Sequence, residues 1–178
     1  MRKSNLWPLL RIAMLSSALV CGQSSGALAV SYLTELFVGT CVLPQARYDA
    51  TVAFATASKW EHAPEELLPL VAPVEKPLKM EAWLAHKDGA PFVVAASLGE
   101  LDGVEVPSCV VAGDVDYAEM EKAVLDLGGA LIDEENEVVQ IARYYVLERL
   151  GNKLLVMLLM TPDVTHGLIS ASVADAPD

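Results

Sequence analysis

Leu154-Leu-Val-Met-Leu-Leu-Met160 is an unbroken apolar run. A strand with one wet face alternates apolar and polar residues, so an unbroken run reads as a central strand covered on both faces. The chain around it fits a sheet. Val138 to Arg149 reads as a long strand, and Gly151-Asn152 as the tight turn after it. Leu168 to Val173 reads as a last edge strand or a loose tail, and residues 174–178 as a flexible end.

Further strands precede this pair. Met80, Ala82 and Leu84 alternate with Glu81 and Trp83, Lys87-Asp-Gly89 is a turn, and Phe92 to Ser97 is a second strand. Gly99 to Gly103 reads as a loop. Val104 to Ala112 follows as a third strand, which Pro107 places near an edge or marks as bulged.

Helical spacing appears in three places. Leu33, Leu36, Phe37 and Thr40 recur within residues 31–41. Residues 45–59 are alanine-rich, with Tyr48, Val52, Ala55 and Trp60 on the side to be buried. Tyr117, Met120, Val124 and Leu127 share one face, opened by Asp116 and Glu119 in an approximate capping box and stopped by Gly128. Residues 61–78 carry four prolines and read as an extended connector with a short helix at Glu65 to Val71. Residues 133–137, Asp-Glu-Glu-Asn-Glu, read as a solvated acidic loop.

The expected order is α-α-β-β-β-α-β-β. The fold class is α+β: an antiparallel sheet of about five to six strands with helices packed on one face.

The first 29 residues read as an export signal. Arg2, Lys3 and Arg11 form a basic start, residues 12–22 an apolar stretch, and Ala27-Leu-Ala29 a cleavage site. The apolar stretch falls short of the roughly 20 residues of a stable membrane span. A second reading makes Cys21, after Ala18-Leu-Val20, a lipoprotein anchor. Cleavage after Ala29 leaves a single domain of residues 30–173 with its tail. It removes three of the twelve basic residues and none of the 24 acidic ones, so nine face 24 and the net charge is −15. Such a chain suits a basic protein surface and not nucleic acid, whose phosphates need clustered Lys and Arg.

Cleavage leaves two cysteines, Cys41 and Cys109. An even count in an exported chain implies one disulfide, here tying the first helix to the third strand. With no Cys-x-x-Cys pair, the bond has a structural role and not a redox-active one.

Motifs that carry chemistry are few. Gly22-Gln-Ser-Ser-Gly26 has the G-x-S-x-G spacing but lies in the signal with no strand before it. His62 and Glu66 would share a helical face, yet Pro64 lies between them and no third ligand is near in sequence. Asp163 and His166 lack a nucleophile or metal to act on. The acidic loops around Glu100, Asp102 and Glu105 and around Asp133 to Glu137 do not match a calcium-loop pattern. No catalytic residue, metal site or cofactor is therefore expected. The large aromatics Trp83, Tyr144 and Tyr145 are the binding candidates. Tyr144 and Tyr145, adjacent on a strand, point to opposite faces.

Phe37-x-x-x-Cys41, Trp83 in the first strand and Val106-Pro-Ser-Cys109 together resemble a group of small exported proteobacterial proteins of unassigned function, over roughly residues 31–125. The resemblance implies envelope export and a cysteine staple, and it carries no catalytic residue across. The expected function is a non-enzymatic protein of the periplasm or exterior that binds another protein through the sheet's open face or an edge strand. The alternative is a small-molecule or lipid binder with a cavity between helices and sheet.

Export with cleavage after Ala29 gives an intact mass that starts at Val30 and shows two thiols only after reduction. A mass retaining Cys21 with added lipid, or free thiols throughout, overturns that reading.

Overall fold

The computed structural model describes residues 32–72, 77–114, 116–138, 140–161 and 166–173. The expected signal, the Cys21 box and the 174–178 tail lie outside them.

Helix α1 (Tyr32–Phe37) runs into a π-helical turn at Val38–Val42. There the Leu43 N–H donates to the Val38 carbonyl, five residues back. Thr40 Oγ1 donates to the Leu36 carbonyl at 2.6 Å, the kind of side-chain bond that distorts a helix locally. The Thr40 carbonyl in turn accepts from Thr51 Oγ1 at 2.9 Å. Helix α2 (Tyr48–Ala57) carries that threonine. The result is a buried turn, fixed from both sides, that presents Cys41 to the sheet.

After α2 come β1 (Glu61–His62), a 3₁₀ turn at Glu65–Leu67 and the four-residue helix α3 (Leu68–Val71). Strands β2 (Lys79–Lys87), β3 (Ala90–Leu101) and β4 (Val104–Asp114) follow. Helix α4 (Tyr117–Asp126) then leads to β5 (Ala130–Asn136), β6 (Ile141–Arg149), β7 (Asn152–Met160) and β8 (His166–Val173). All eight strands belong to one antiparallel sheet in the order β1-β2-β3-β4-β8-β7-β6-β5.

This corrects the expected α+β sheet of five to six strands with helices on one face. Among the described residues the protein is mainly antiparallel β, with four short α-helices around an eight-stranded sheet. Two strands were hidden for physical reasons. β1 is too short to show alternation. β5 is exposed along its whole length and acidic, so it carries no hydrophobic period; its pairing comes from β6. The helices also divide between the faces. Leu33, Leu36 and Phe37 of α1 and Met120 and Val124 of α4 join Val94, Cys109, Val111, Tyr145, Val156 and Ile169 in the main core. Val71 and Leu68 of α3 instead meet Ala82, Ala95 and Val110, the alternate residues of the same strands, on the opposite face.

Several local expectations hold. β7 is central, between β8 and β6. Tyr48, Val52, Ala55 and Trp60 form one buried cluster with Trp83 and Ala96. Asp116 caps α4, its side chain accepting from Ala118 N–H at 2.8 Å, and Gly128 follows the helix at φ +90°. Asp88-Gly89, Asp102-Gly103 and Leu150-Gly151 all have positive φ at both positions, the two-residue turn that matches strand twist; the last falls one residue before the expected Gly151-Asn152, and Gly99 to Leu101, expected in a loop, belong to β3. Two placements are corrected: Leu168 to Val173, expected as a last edge strand or loose tail, belongs to β8 at the centre of the sheet, and Pro107, expected near an edge or at a bulge, lies in the equally central β4, paired with Leu98 of β3 and one position beyond the last register pair with β8.

Cys41 and Cys109 are wholly buried and disulfide-bonded, with Cα atoms 5.3 Å apart. The bond spans 68 positions. Replacing both cysteines by alanine should lower the unfolding free energy by roughly 4 kcal/mol on chain-entropy grounds, read as a lower urea midpoint than the oxidised protein. An unchanged midpoint would show that the helical layer holds to the sheet without the bond.

Candidate functional site

The sequence-derived candidates scatter. Trp83 is 2% exposed beneath α2 and Tyr145 is wholly buried in the main core, so neither offers a contact surface. Tyr144 lies on the other face, half-buried, its hydroxyl donating to Glu135 at 3.0 Å. The expected opposition of the two tyrosines is thus observed. His62 is exposed and rests its ring 5.8 Å from that of Trp83, while Glu65 and Glu66 sit on the 3₁₀ turn. Asp163 lies outside the described residues; the backbone of His166 opens β8. Among the described residues no group of three His, Cys, Asp or Glu side chains could hold a metal ion.

The structure gathers something different on the face that carries α3. Leu84, Val93, Ala112, Leu168 and Leu159 belong to β2, β3, β4, β8 and β7, and each is the register partner of the next. They therefore form one line across five strands, about 19 Å long at the usual strand spacing. All five line a groove of about 780 Å³. Pro64, Leu67, Leu70 and Val71 form its wall. α3 spans only four residues and packs over Ala82, Ala95 and Val110, so this row stays uncovered. The small side chain of Ala112 between larger ones deepens the centre.

Two residues further along the strands the chemistry changes. Asp114, Thr161 and Gln140 supply the polar rim. Asp114 pairs in register with His166. No Lys, Arg or His lines the groove among the described residues. An apolar channel of this kind binds by burial, at about 0.8 kcal/mol for each methylene taken from water.

The main-core side carries a separate polar cluster between α4 and the edge of the sheet. Arg143 donates to Glu121 at 2.7 Å and to Glu134 at 2.6 Å, and Tyr145 Oη donates to Glu121 at 2.6 Å. The guanidinium lies 5.4 Å from the centre of the Tyr117 ring. Burial, then the Glu121 bond, raises the Tyr145 hydroxyl pKa, and the Glu134 bond raises that of Arg143. These bonds fasten β5 to β6 and β6 to α4. The expected acidic loop at 133–137 is, in its greater part, this fastened edge strand.

Sequence reading did not reach the groove. Alternation places Val93, Ala112, Leu159 and Leu168 on faces of their own strands, but only the β4–β8 register aligns them. Pro64 to Val71, read as a connector with a short helix, supplies the wall. Comparison of the chain with protein-family models, with curated proteins and with solved structures finds no match.

Glu134 has its carboxyl held below the usual 4.5 by bonds from Asn136 and Arg143. A depressed carboxyl stabilises the fold above its unfolded pKa, and that contribution disappears as pH falls through the folded value. Glu134→Gln should therefore be less stable than the wild type at pH 7 and converge with it below pH 4.5, as read by thermal melts across pH. Arg143→Met should cost on the order of 1 kcal/mol at neutral pH, since the ion pairs are half-exposed. A Glu134→Gln deficit that persists unchanged in acid would remove the ionic account.

Proposed function

We propose that this is an exported, disulfide-stapled protein that binds a small apolar molecule or a single lipid chain in the groove beside α3. The observation that carries this reading is the transverse row Leu84–Val93–Ala112–Leu168–Leu159, walled by Leu67, Leu70 and Val71. Its 780 Å³ lies within the range of about 300–1,000 Å³ usual for small-molecule sites. The buried Cys41–Cys109 bond supports an oxidising compartment, the periplasm or the exterior. Among the described residues no helix is long and apolar enough to cross a membrane.

A protein partner is the second reading. Tyr144, Val146, Leu155 and Met157 continue the same face beyond the groove and are half-buried, giving a broader apolar surface. A chain with this excess of acid would steer toward a basic partner.

Nile red, a neutral apolar probe, separates the two. It should brighten on binding to the wild type. Ala112→Trp, which fills the middle of the row, should weaken that binding by about tenfold or more, the effect of losing some 1.4 kcal/mol of burial. Leu155→Arg, outside the groove lining, should leave it unchanged. Wild-type and Ala112→Trp proteins with equal binding would count against the groove and favour the protein-partner reading.

A further inference from the structure

The floor row of the groove continues past it at both ends, and at both ends it meets a carboxylate. Leu84 of β2 pairs in register with Glu61 of β1. Leu159 of β7 pairs with Ala142 of β6, and Ala142 with Glu135 of β5. Register partners share a face, so one line crosses all eight strands, apolar at its six inner positions and acidic at its two outermost. Seven strand spacings place the two glutamates about 34 Å apart. Both are exposed, and Glu135 accepts the Tyr144 hydroxyl bond. Glu65 and Glu66, also exposed, lie in the chain between the wall residues Pro64 and Leu67.

The basic residues are elsewhere. Lys79 lies 4.2 Å from the centre of the Tyr48 ring of α2, and Lys87 5.7 Å from that of Tyr32 of α1. Lys122 and Arg143 bond to Asp126 and Glu121 of α4. Arg47 and Lys59 flank α2, and Arg149 alternates in phase with the core residues Tyr145 and Leu147. All of these belong to the helix-covered side. Among the described residues Lys153 alone falls in phase with the open face, and its register partner there is Glu148. A partner approaching the helical side therefore meets mixed charge. One approaching the open side meets an apolar line that ends in acid both ways, where cationic flanks find carboxylates. We propose that this face docks a segment of a partner protein that is apolar in its middle and carries Lys or Arg at both ends, laid along the row. The proposal rests on the reading of the row as an apolar binding site and adds what its occupant carries at each end.

The test uses the full chain and two labelled peptides of about ten residues, the extended length that spans the row. They share a centre of alternating leucine and threonine and differ in carrying lysine or glutamate at both ends. Fluorescence polarisation is read at about 0.15 M ionic strength, where distant surface charge is screened. The lysine peptide should bind about tenfold or more tighter, as the swing from attraction to repulsion at both ends allows. Glu61→Gln with Glu135→Gln should narrow that ratio about fivefold, the scale of two exposed ion pairs. Asp49→Asn with Glu119→Gln, the same change of charge at exposed positions of α2 and α4, should leave it. Ala112→Trp should weaken the lysine peptide and Nile red together. Equal affinities for the two peptides, or both double variants narrowing the ratio alike, would overturn the end-charge assignment while leaving an apolar groove in place. Lysine-peptide binding untouched by Ala112→Trp, in a protein whose Nile red binding does weaken, would put the peptide on the general acidic surface and equally overturn the proposal. Ala112→Trp without effect on either probe would instead remove the groove itself.

Discussion

The pairing of β4 with β8 is the constraint on which the rest of the molecule depends. Seven consecutive register pairs, from Ser108 with Ser172 to Asp114 with His166, make the only strand-to-strand join between β1–β4 and β5–β8 among the described residues. The partners are far apart in sequence, but the entropy of closing such a loop grows only slowly with its length. Helix α4 helps to bridge the gap, since Met120 and Val124 rest in a core shared by Val94 and Val111 of one half and Val156 and Ile169 of the other. The disulfide reaches the same place: Cys109 lies on β4, so the staple ties the N-terminal helical layer to the strand at the centre of the sheet.

Around this seam the chain repeats a plan. A helical segment, α1 to α2, precedes the four-stranded meander β1 to β4. A second helix, α4, precedes the four-stranded meander β5 to β8. Each meander runs from an edge to the centre, where the two last strands meet. No repeat is visible in the residues themselves. The two halves meet different demands: the first carries both cysteines and the proline-rich wall, the second an acidic edge and the unbroken apolar strand β7. Both outer strands are poor templates for further pairing. β1 is only two residues long, and β5 is bulged between Leu131 and Asp133 and carries three acidic side chains.

The two faces of the sheet follow different rules. The main-core face is filled by α1, α2 and α4, and Arg143, Glu121 and Tyr145 are bonded to one another there. The other face receives only the short α3. The apolar residues it leaves uncovered line up into a channel with Asp114, Thr161 and Gln140 along one side.

The sequence by itself determined the elements whose information is local. The capped and glycine-stopped α4, the turn at Asp88-Gly89, the central position of Leu154–Met160 and the opposition of Tyr144 and Tyr145 all follow from dihedral preference or from a periodicity of 2 or 3.6. The cysteine count pointed to the staple. Tertiary structure alone decided the number of strands, because β1 has too few residues and β5 too little hydrophobic pattern to announce themselves. It also decided the buried fate of Trp83, which alternation can assign to a face but not to the face that α2 covers. Above all it decided the groove, whose five floor residues come from five strands and are brought into line by hydrogen-bond register, a property of pairs of strands that no single segment encodes.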